Sequence, residues 1–161
     1  MSTESTTSVD AHAGHSGSAI GKPLVNRRTI RVEWGDCDSA GIVFYPNYFA
    51  WFDVCTASLF ERAGLSYRAI REDFGSVGIP AVDVRAQFVI PSSFGDELTV
   101  ESWVSKWGRR SFTVTHRFLK GESLAVGGTE TRVWALRHAA DSKRIVGAPI
   151  PQEIIRRFTV E

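Results

Sequence analysis

Cysteine is scarce in this chain: Cys37 and Cys55 are the only two in 161 residues. Two cysteines without metal-ligand spacing make neither a disulfide scaffold nor a thiolate metal site. A reducing compartment is the simpler reading. A surplus of charge is missing too. The 19 Lys and Arg oppose 18 Asp and Glu, for a net charge of +1. That balance offers no general attraction for nucleic acid. No stretch approaches the ~20 apolar residues of a membrane span. The N-terminus lacks the basic start and apolar block of a secretory signal. These absences read as a cytoplasmic protein with neither a membrane nor a nucleic-acid partner. No internal repeat is evident.

What is present suffices for one domain with its own core. Residues 1–26 form a Ser/Thr/Gly/Ala tail. It cannot bury enough apolar surface to offset its ordering entropy, so disorder is expected there. His12 and His15 fall in that tail and read as solvated. Residues 27–161 read as the globular part.

The chain is organised around Trp34 to Phe60, WGDCDSAGIVFYPNYFAWFDVCTASLF. A loop carries Asp36 and Asp38, followed by Ser39-Ala40-Gly41. Tyr45-Pro46-Asn47 then announces a helix, because Pro suits the first helical position. No Pro or Gly interrupts Tyr48 to Ala63. Tyr48, Trp51, Phe52, Cys55, Leu59 and Ala63 recur at helical spacing. Phe49, Val54, Ala57 and Phe60 widen that surface nearly all the way round, the pattern of a buried helix. Gly64 supplies the stop. Free N–H groups and partial positive charge gather at a helix N-terminus. An acid facing that terminus is one arrangement for acyl transfer. A turn-ordering role for both acids is the competing reading.

The rest of the chain alternates. Ile30, Val32 and Trp34 share one face of a strand from Arg28 to Trp34. A short helix is expected over Tyr67–Asp73. A second strand follows Gly78-Ile79-Pro80, with Val82, Val84, Ala86, Phe88 and Ile90 on one face. A third runs from about Glu97 to Trp107 and a fourth over Ser111–Lys120. A fifth spans Leu124–His138, with Gly127-Gly128 as a candidate bulge. Lys143–Ala148 reads as a short last strand and Pro151–Phe158 as a short helix. Short connections imply antiparallel neighbours. One antiparallel sheet wrapped around one long apolar helix is an α+β plan. Trp103, Trp107 and Trp134 fall on faces otherwise carrying charge or Thr/Ser, which reads as a second interface.

The run GDCDSAGIVFYPNYFAWFD resembles the signature of the 4-hydroxybenzoyl-CoA thioesterases, the Pseudomonas-type branch of the hotdog-fold thioesterases. The likeness continues through Gly78-Ile79-Pro80, Ser93 to Val100, Lys106 to Phe112 and Glu130 to Val133. It spans about Arg28 to Pro151. The resemblance implies a hotdog fold and a homo-oligomer built as a dimer of dimers. It implies hydrolysis of an aromatic acyl-CoA, of 4-hydroxybenzoyl or benzoyl type, with no metal and no cofactor beyond the coenzyme A of the substrate. Alternatives are a hotdog thioesterase for aliphatic acyl-CoA or acyl carrier protein, and a non-catalytic acyl-CoA-binding module. A dehydratase fits less well, because no His stands in the loop or at the helix head.

By the same resemblance Asp38 is the catalytic carboxylate, acting as nucleophile or as base on water. A free aspartate is ionised at neutral pH and a weak base there, which favours direct attack. Tyr45 offers its backbone N–H as oxyanion donor, and Asp36 holds the loop. Asp53, Ile79 and Tyr48 are the candidate substrate contacts. Asp53 lies between apolar helix neighbours, and a buried carboxylate there must find hydrogen bonds. Ile79 replaces a Thr of the comparison pattern. Phe44 and Tyr67 add to an aromatic-friendly pocket. Arg109 and Arg110 form a basic turn suited to the phosphates of coenzyme A, with Arg144 as a third contributor. Glu33 and Glu130 are read as ion-pair partners, across strands, of Arg31 or Arg132. His116 and His138 are read as structural.

Overall fold

The computed structural model describes residues 21–160. The tail reading for residues 1–20, with His12 and His15, lies outside the described residues. The tail boundary at residue 26 is too late. Strand β1 (Lys22–Pro23) pairs with β9 (Thr159–Val160), and the Leu24 N–H donates to the Phe158 carbonyl at 2.8 Å.

The main sheet has five antiparallel strands: β2 (Asn26–Arg31), β3 (Ala81–Phe88), β4 (Glu97–Trp107), β5 (Ser111–Lys120) and β6 (Ser123–Val133). Their spatial order is β2-β4-β5-β6-β3. The hairpins β4–β5 and β5–β6 follow the rule that short connections make neighbours. The link from β3 to β4 breaks it. Residues 89–96 cross from one edge of the sheet to the far side, past β6 and β5. Eight extended residues reach roughly 26 Å, enough to pass two intervening strands at ~4.8 Å spacing. The crossing is anchored where the Val43 N–H donates to the Ser92 carbonyl at 2.8 Å and Ile42 bridges Ser93.

Helix α1 (Pro46–Arg62) lies across one face of this sheet. Phe52, Cys55, Leu59 and Phe60 are its buried stripe. Ala50, Asp53, Val54 and Glu61 face solvent, so the helix is not buried all round. Gly128 makes the seat. A Cβ built there would stand 2.1 Å from the Phe52 ring, so only glycine lets α1 settle onto β6. Gly127 and Gly128 stay in regular register with both neighbours, and there is no bulge at them. The expected fifth strand instead breaks at Trp134, where β7 (Ala135–His138) leaves to pair with β8 (Asp141–Gly147).

The core divides in two along α1. Val32, Tyr48, Phe52, Leu98 and Phe118 pack near its start. Leu59, Phe60, Ile79, Phe112, Trp134 and Phe158 pack near its end, closed by α2 (Tyr67–Phe74) and α3 (Gln152–Arg156). Trp134 is therefore core and not interface. Trp107 also turns inward, 5.3 Å from the rings of Phe112 and Phe158. A register shift between Val104 and Lys106 causes this, because one extra residue flips every later side chain to the other face. Trp103, before the shift, stays on the outer face. Trp34 does not extend β2. It begins a 3₁₀ turn (Trp34–Asp36) and is 77% exposed.

Candidate active site

The 3₁₀ turn sets up the acid loop. The Glu33 N–H donates to Asp36 Oδ2 at 2.8 Å, which closes the turn. The Asp36 carbonyl then accepts from the Phe44 N–H at 2.8 Å and from Asn47 Nδ2 at 2.9 Å. Asp36 thus ties the loop to the first turn of α1, the holding role read from the sequence. Asp38 is left exposed on the far limb. Ala40 N–H donates to its Oδ1 at 2.8 Å, and Gly41, at φ 76°, turns the chain back.

Asp38, Ile42, Tyr45, Tyr48 and Phe88 line one cavity of about 330 Å³, closed by residues 89–92 of the crossing link. The site therefore depends on the link that brings β3 and the acid loop together. Tyr45 is the residue before the first turn of α1, and its backbone is already helical at φ −52°, ψ −32°. Among the described residues its N–H has no acceptor. Its ring is 58% exposed and meets Phe44 and Phe49 edge-on. The Tyr48 phenol is buried in the cavity wall, and burial holds its pKa above the usual tyrosine range. Ser92, a wall residue not singled out from the sequence, keeps a buried Oγ with no partner among the described residues. Only the link's placement reveals it.

The other candidates lie elsewhere. Ile79 is buried in the second core, so its side chain does not line the cavity; its carbonyl accepts from Arg132 Nη1 at 3.1 Å. Asp53 is not buried between its apolar neighbours. Its side chain is 61% exposed, with Arg132 Nη2 donating to its Oδ1 at 2.7 Å. Tyr67 stands nearby, and burial followed by the Asp53 charge raises its pKa. Arg109 and Arg110 occupy the β4–β5 turn, exposed, and Arg144 is exposed on β8. None of the three is ion-paired among the described residues. They stand at the opposite end of the sheet from Asp38. The 11 residues of β4 separate the two ends by roughly 35 Å.

His116 is buried at 0% exposure; the Arg31–Glu33 and Arg132–Glu130 pairs form, but between residues two apart in the chain and not across strands. Among the described residues no three His, Cys, Asp or Glu side chains gather as a metal site. No described helix is long and apolar enough to cross a membrane.

An antiparallel sheet folded around one long helix, with an acid-lined cavity at the helix head, defines a hotdog-fold protein. The chain belongs to the thioesterase-like superfamily, whose family model matches residues 32–158, and it is a thioester hydrolase. It is 36% identical over 131 residues to 4-hydroxybenzoyl-CoA thioesterase of Pseudomonas sp. strain CBS-3, across 78% of this chain and 91% of that one. The solved structure of that enzyme superposes with a TM-score of 0.75, covering 83% of this chain and 99% of the other. A 1,4-dihydroxy-2-naphthoyl-CoA hydrolase of Synechococcus sp. strain WH7803 is 30% identical over 71% of this chain and 74% of its own length. The structure of BH1999 gentisyl-coenzyme A thioesterase matches at 31% identity and a TM-score of 0.69, over 83% of this chain and 98% of that one.

Proposed function

We propose that the chain hydrolyses an aromatic acyl-CoA, of 4-hydroxybenzoyl or benzoyl type, to the free acid and coenzyme A. The observation that carries this is the cavity lined by Asp38 together with Tyr45 at the head of α1, with Tyr48 and Phe88 among its walls. Asp38 attacks the thioester carbonyl carbon. The carbonyl oxygen takes the developing charge and accepts from the Tyr45 N–H. Collapse expels the coenzyme A thiolate and leaves an acyl-aspartyl anhydride, which water then hydrolyses. Asp38 as a base on water is the second route to the same products. The relatives named above act on ring-hydroxylated acyl groups, which supports an aromatic acid over an aliphatic one. The 1,4-dihydroxy-2-naphthoyl relative favours a larger ring as the second reading.

One chain cannot complete this site. Coenzyme A held at Arg109 and Arg110 stands a sheet's length from Asp38 of the same chain. Strand β3 supplies the remedy. It is a free edge whose Val82, Val84 and Phe88 are 63%, 40% and 51% exposed. Two copies pairing antiparallel through β3 about a two-fold axis bring the Ala81 end of one against the Phe88 end of the other. Asp53, Arg132 and the Arg109–Arg110 turn of the partner then approach the Asp38 cavity. A further pairing of two such dimers completes the homotetramer, in a cytoplasmic setting.

Thiol release from 4-hydroxybenzoyl, benzoyl, phenylacetyl, 1,4-dihydroxy-2-naphthoyl, short aliphatic and palmitoyl CoA esters tests the substrate reading. Highest kcat/KM on a benzoyl ester supports it; an aliphatic preference refutes it. Subunit mixing tests the shared site. Asp38→Asn and Arg109→Glu/Arg110→Glu chains, co-expressed, should recover roughly a quarter of wild-type turnover at low substrate, because a mixed dimer holds one intact site. No recovery would put both groups in one chain.

A further inference from the structure

The proposed route has a second half, and that half needs a water. Once the coenzyme A thiolate has left, Asp38 carries the acyl group and its carboxylate cannot activate anything. Among the described residues lining the cavity there is no other carboxylate and no histidine. A mixed anhydride is reactive enough to need no strong base, but its water must stand at the acyl carbon. Neutral hydroxyls are what this chain offers to place it.

Ser92 is the unusual one. It is 1% exposed, and its Oγ has no partner among the described residues. The other buried Ser and Thr hydroxyls there, on Thr56, Ser76 and Ser102, are all hydrogen-bonded. An unpaired buried hydroxyl costs about 1–3 kcal/mol. The Ser92 backbone is pinned on both sides. Its carbonyl accepts from the Val43 N–H at 2.8 Å, and the Ser93 N–H donates to Asp96 Oδ2 at 2.8 Å. Tyr48 lines the same cavity, its ring held between Trp51, Phe88 and Phe118. Burial keeps its phenol protonated, and the Ser92 hydroxyl is near enough to work against burial there. Val43 also pairs with Cys37, so Ser92 stands two strand spacings, roughly 10 Å, from the residue before Asp38. A water hydrogen-bonded on both sides spans about 5.6 Å of that, and the two side chains cover the rest.

We propose that Ser92, with Tyr48 beside it, seats the water that hydrolyses the acyl-aspartyl anhydride. The water oxygen bonds to the acyl carbon, and the bond from that carbon to the Asp38 oxygen breaks. The free acid keeps one water hydrogen and the other passes to the departing Asp38 carboxylate. Both acids then ionise into solvent, and Asp38 is ready again. Nothing is oxidised or reduced. The inference rests on the reading of Asp38 as nucleophile.

The test follows the adduct itself. Single turnovers of benzoyl-CoA and 4-hydroxybenzoyl-CoA are quenched in acid at a series of times, and the mass of the Asp38 peptide reports formation and decay of the acyl group. In Ser92→Ala the decay should slow by roughly tenfold on both esters, the scale of one lost hydrogen bond. The adduct should build to a higher level than in wild type, and in the steady state kcat and KM should fall together. Ser92→Thr keeps the hydroxyl and should restore most of the decay rate. The thermal midpoint of Ser92→Ala should not fall, because the hydroxyl has no protein partner to lose. Tyr48→Phe keeps the packed ring and should slow decay in the same direction; it is the second probe if Ser92→Ala folds poorly.

An adduct that forms in wild type and decays equally fast in Ser92→Ala overturns the inference and leaves Asp38 as nucleophile. Slower formation with unchanged decay puts Ser92 in the first half of the reaction and overturns it too. Slowing confined to the hydroxylated ester makes Ser92 a contact of the ring, and equal slowing in Ser92→Thr and Ser92→Ala removes the hydroxyl as the cause; each overturns the water seat. An Asp38 peptide free of acyl at every time, in wild type and variants alike, sinks the two-step reading and the inference with it.

Discussion

Asp38 and Glu130, two carboxylates near the same helix, are held in opposite ways. Asp38 is exposed on a glycine loop and keeps one side-chain hydrogen bond, from the Ala40 N–H. Glu130 is 1% exposed and meets Arg132, Thr56 and His116. Burial pushes the Glu130 carboxyl up, but His116 and Arg132 outweigh burial and hold it below the usual glutamate range. A solvated acid shaped by backbone geometry keeps its oxygens free for chemistry and contributes little to the fold. A buried acid spends every oxygen on the scaffold. Activity and stability should therefore answer to different acids.

The sharpest way to break that contrast is Asp38→Asn. On the proposed mechanism it should cost on the order of a thousandfold or more in kcat with little change in KM. The thermal midpoint should move by no more than about 2 °C, because the side chain is exposed and makes one local bond. A folded variant with wild-type turnover would remove Asp38 from the chemistry. A large fall in midpoint would erase the difference between the two acids.

Glu130→Ala should do the reverse. Removing one partner of a buried pair leaves Arg132 with only the exposed Asp53 carboxylate as counter-ion, a loss of about 3 kcal/mol in urea unfolding. Turnover of benzoyl-CoA by the protein that remains folded should change far less. Acid sharpens the same point. The folded pKa of Glu130 lies below its ordinary value of 4.5. Its contribution is thus complete above that value and is lost as pH falls through the folded pKa. The stability gap between wild type and Glu130→Ala should narrow below about pH 4.5 and be constant above it. A gap that persists unchanged at lower pH would mean that the packing of the side chain, and not its charge, holds the site.

What the sequence disclosed divides along the same line. Local pattern was legible. Pro46 and the Gly-free run after it mark α1, and alternation marks β5 at Ser111–Lys120. Asp38 and Tyr45, both singled out by the motif, line one cavity. Long-range placement was not legible. Sequence order suggests β3 beside β4, but residues 89–96 carry the chain across the sheet. Alternation puts Trp107 on the outer face until the register shift after Val104 turns it inward. Glu130 and Arg132 share a strand face at i, i+2, which the sequence states. That Arg132 also reaches Asp53, 79 positions away, depends on how close α1 lies to β6.

That closeness is set by Gly128, and Gly128→Ala gives the smallest and most diagnostic effect. The added methyl would meet the Phe52 ring, which is stacked on His116 and packed on Phe118. The ring has no free rotamer to retreat into, so α1 must lift from β6. Overpacking of this kind costs about 1–3 kcal/mol, less than emptying the Glu130 position. The lift also moves both things that α1 carries: the Tyr45 N–H at its head and Asp53 on its exposed face. Turnover should then fall by a few-fold on every ester, since a small misplacement is felt by any group held to fixed geometry. Lost stability with turnover unchanged would mean that the sheet yields instead of the helix. The acid loop and the buried ion line would then be independent parts that happen to share a helix.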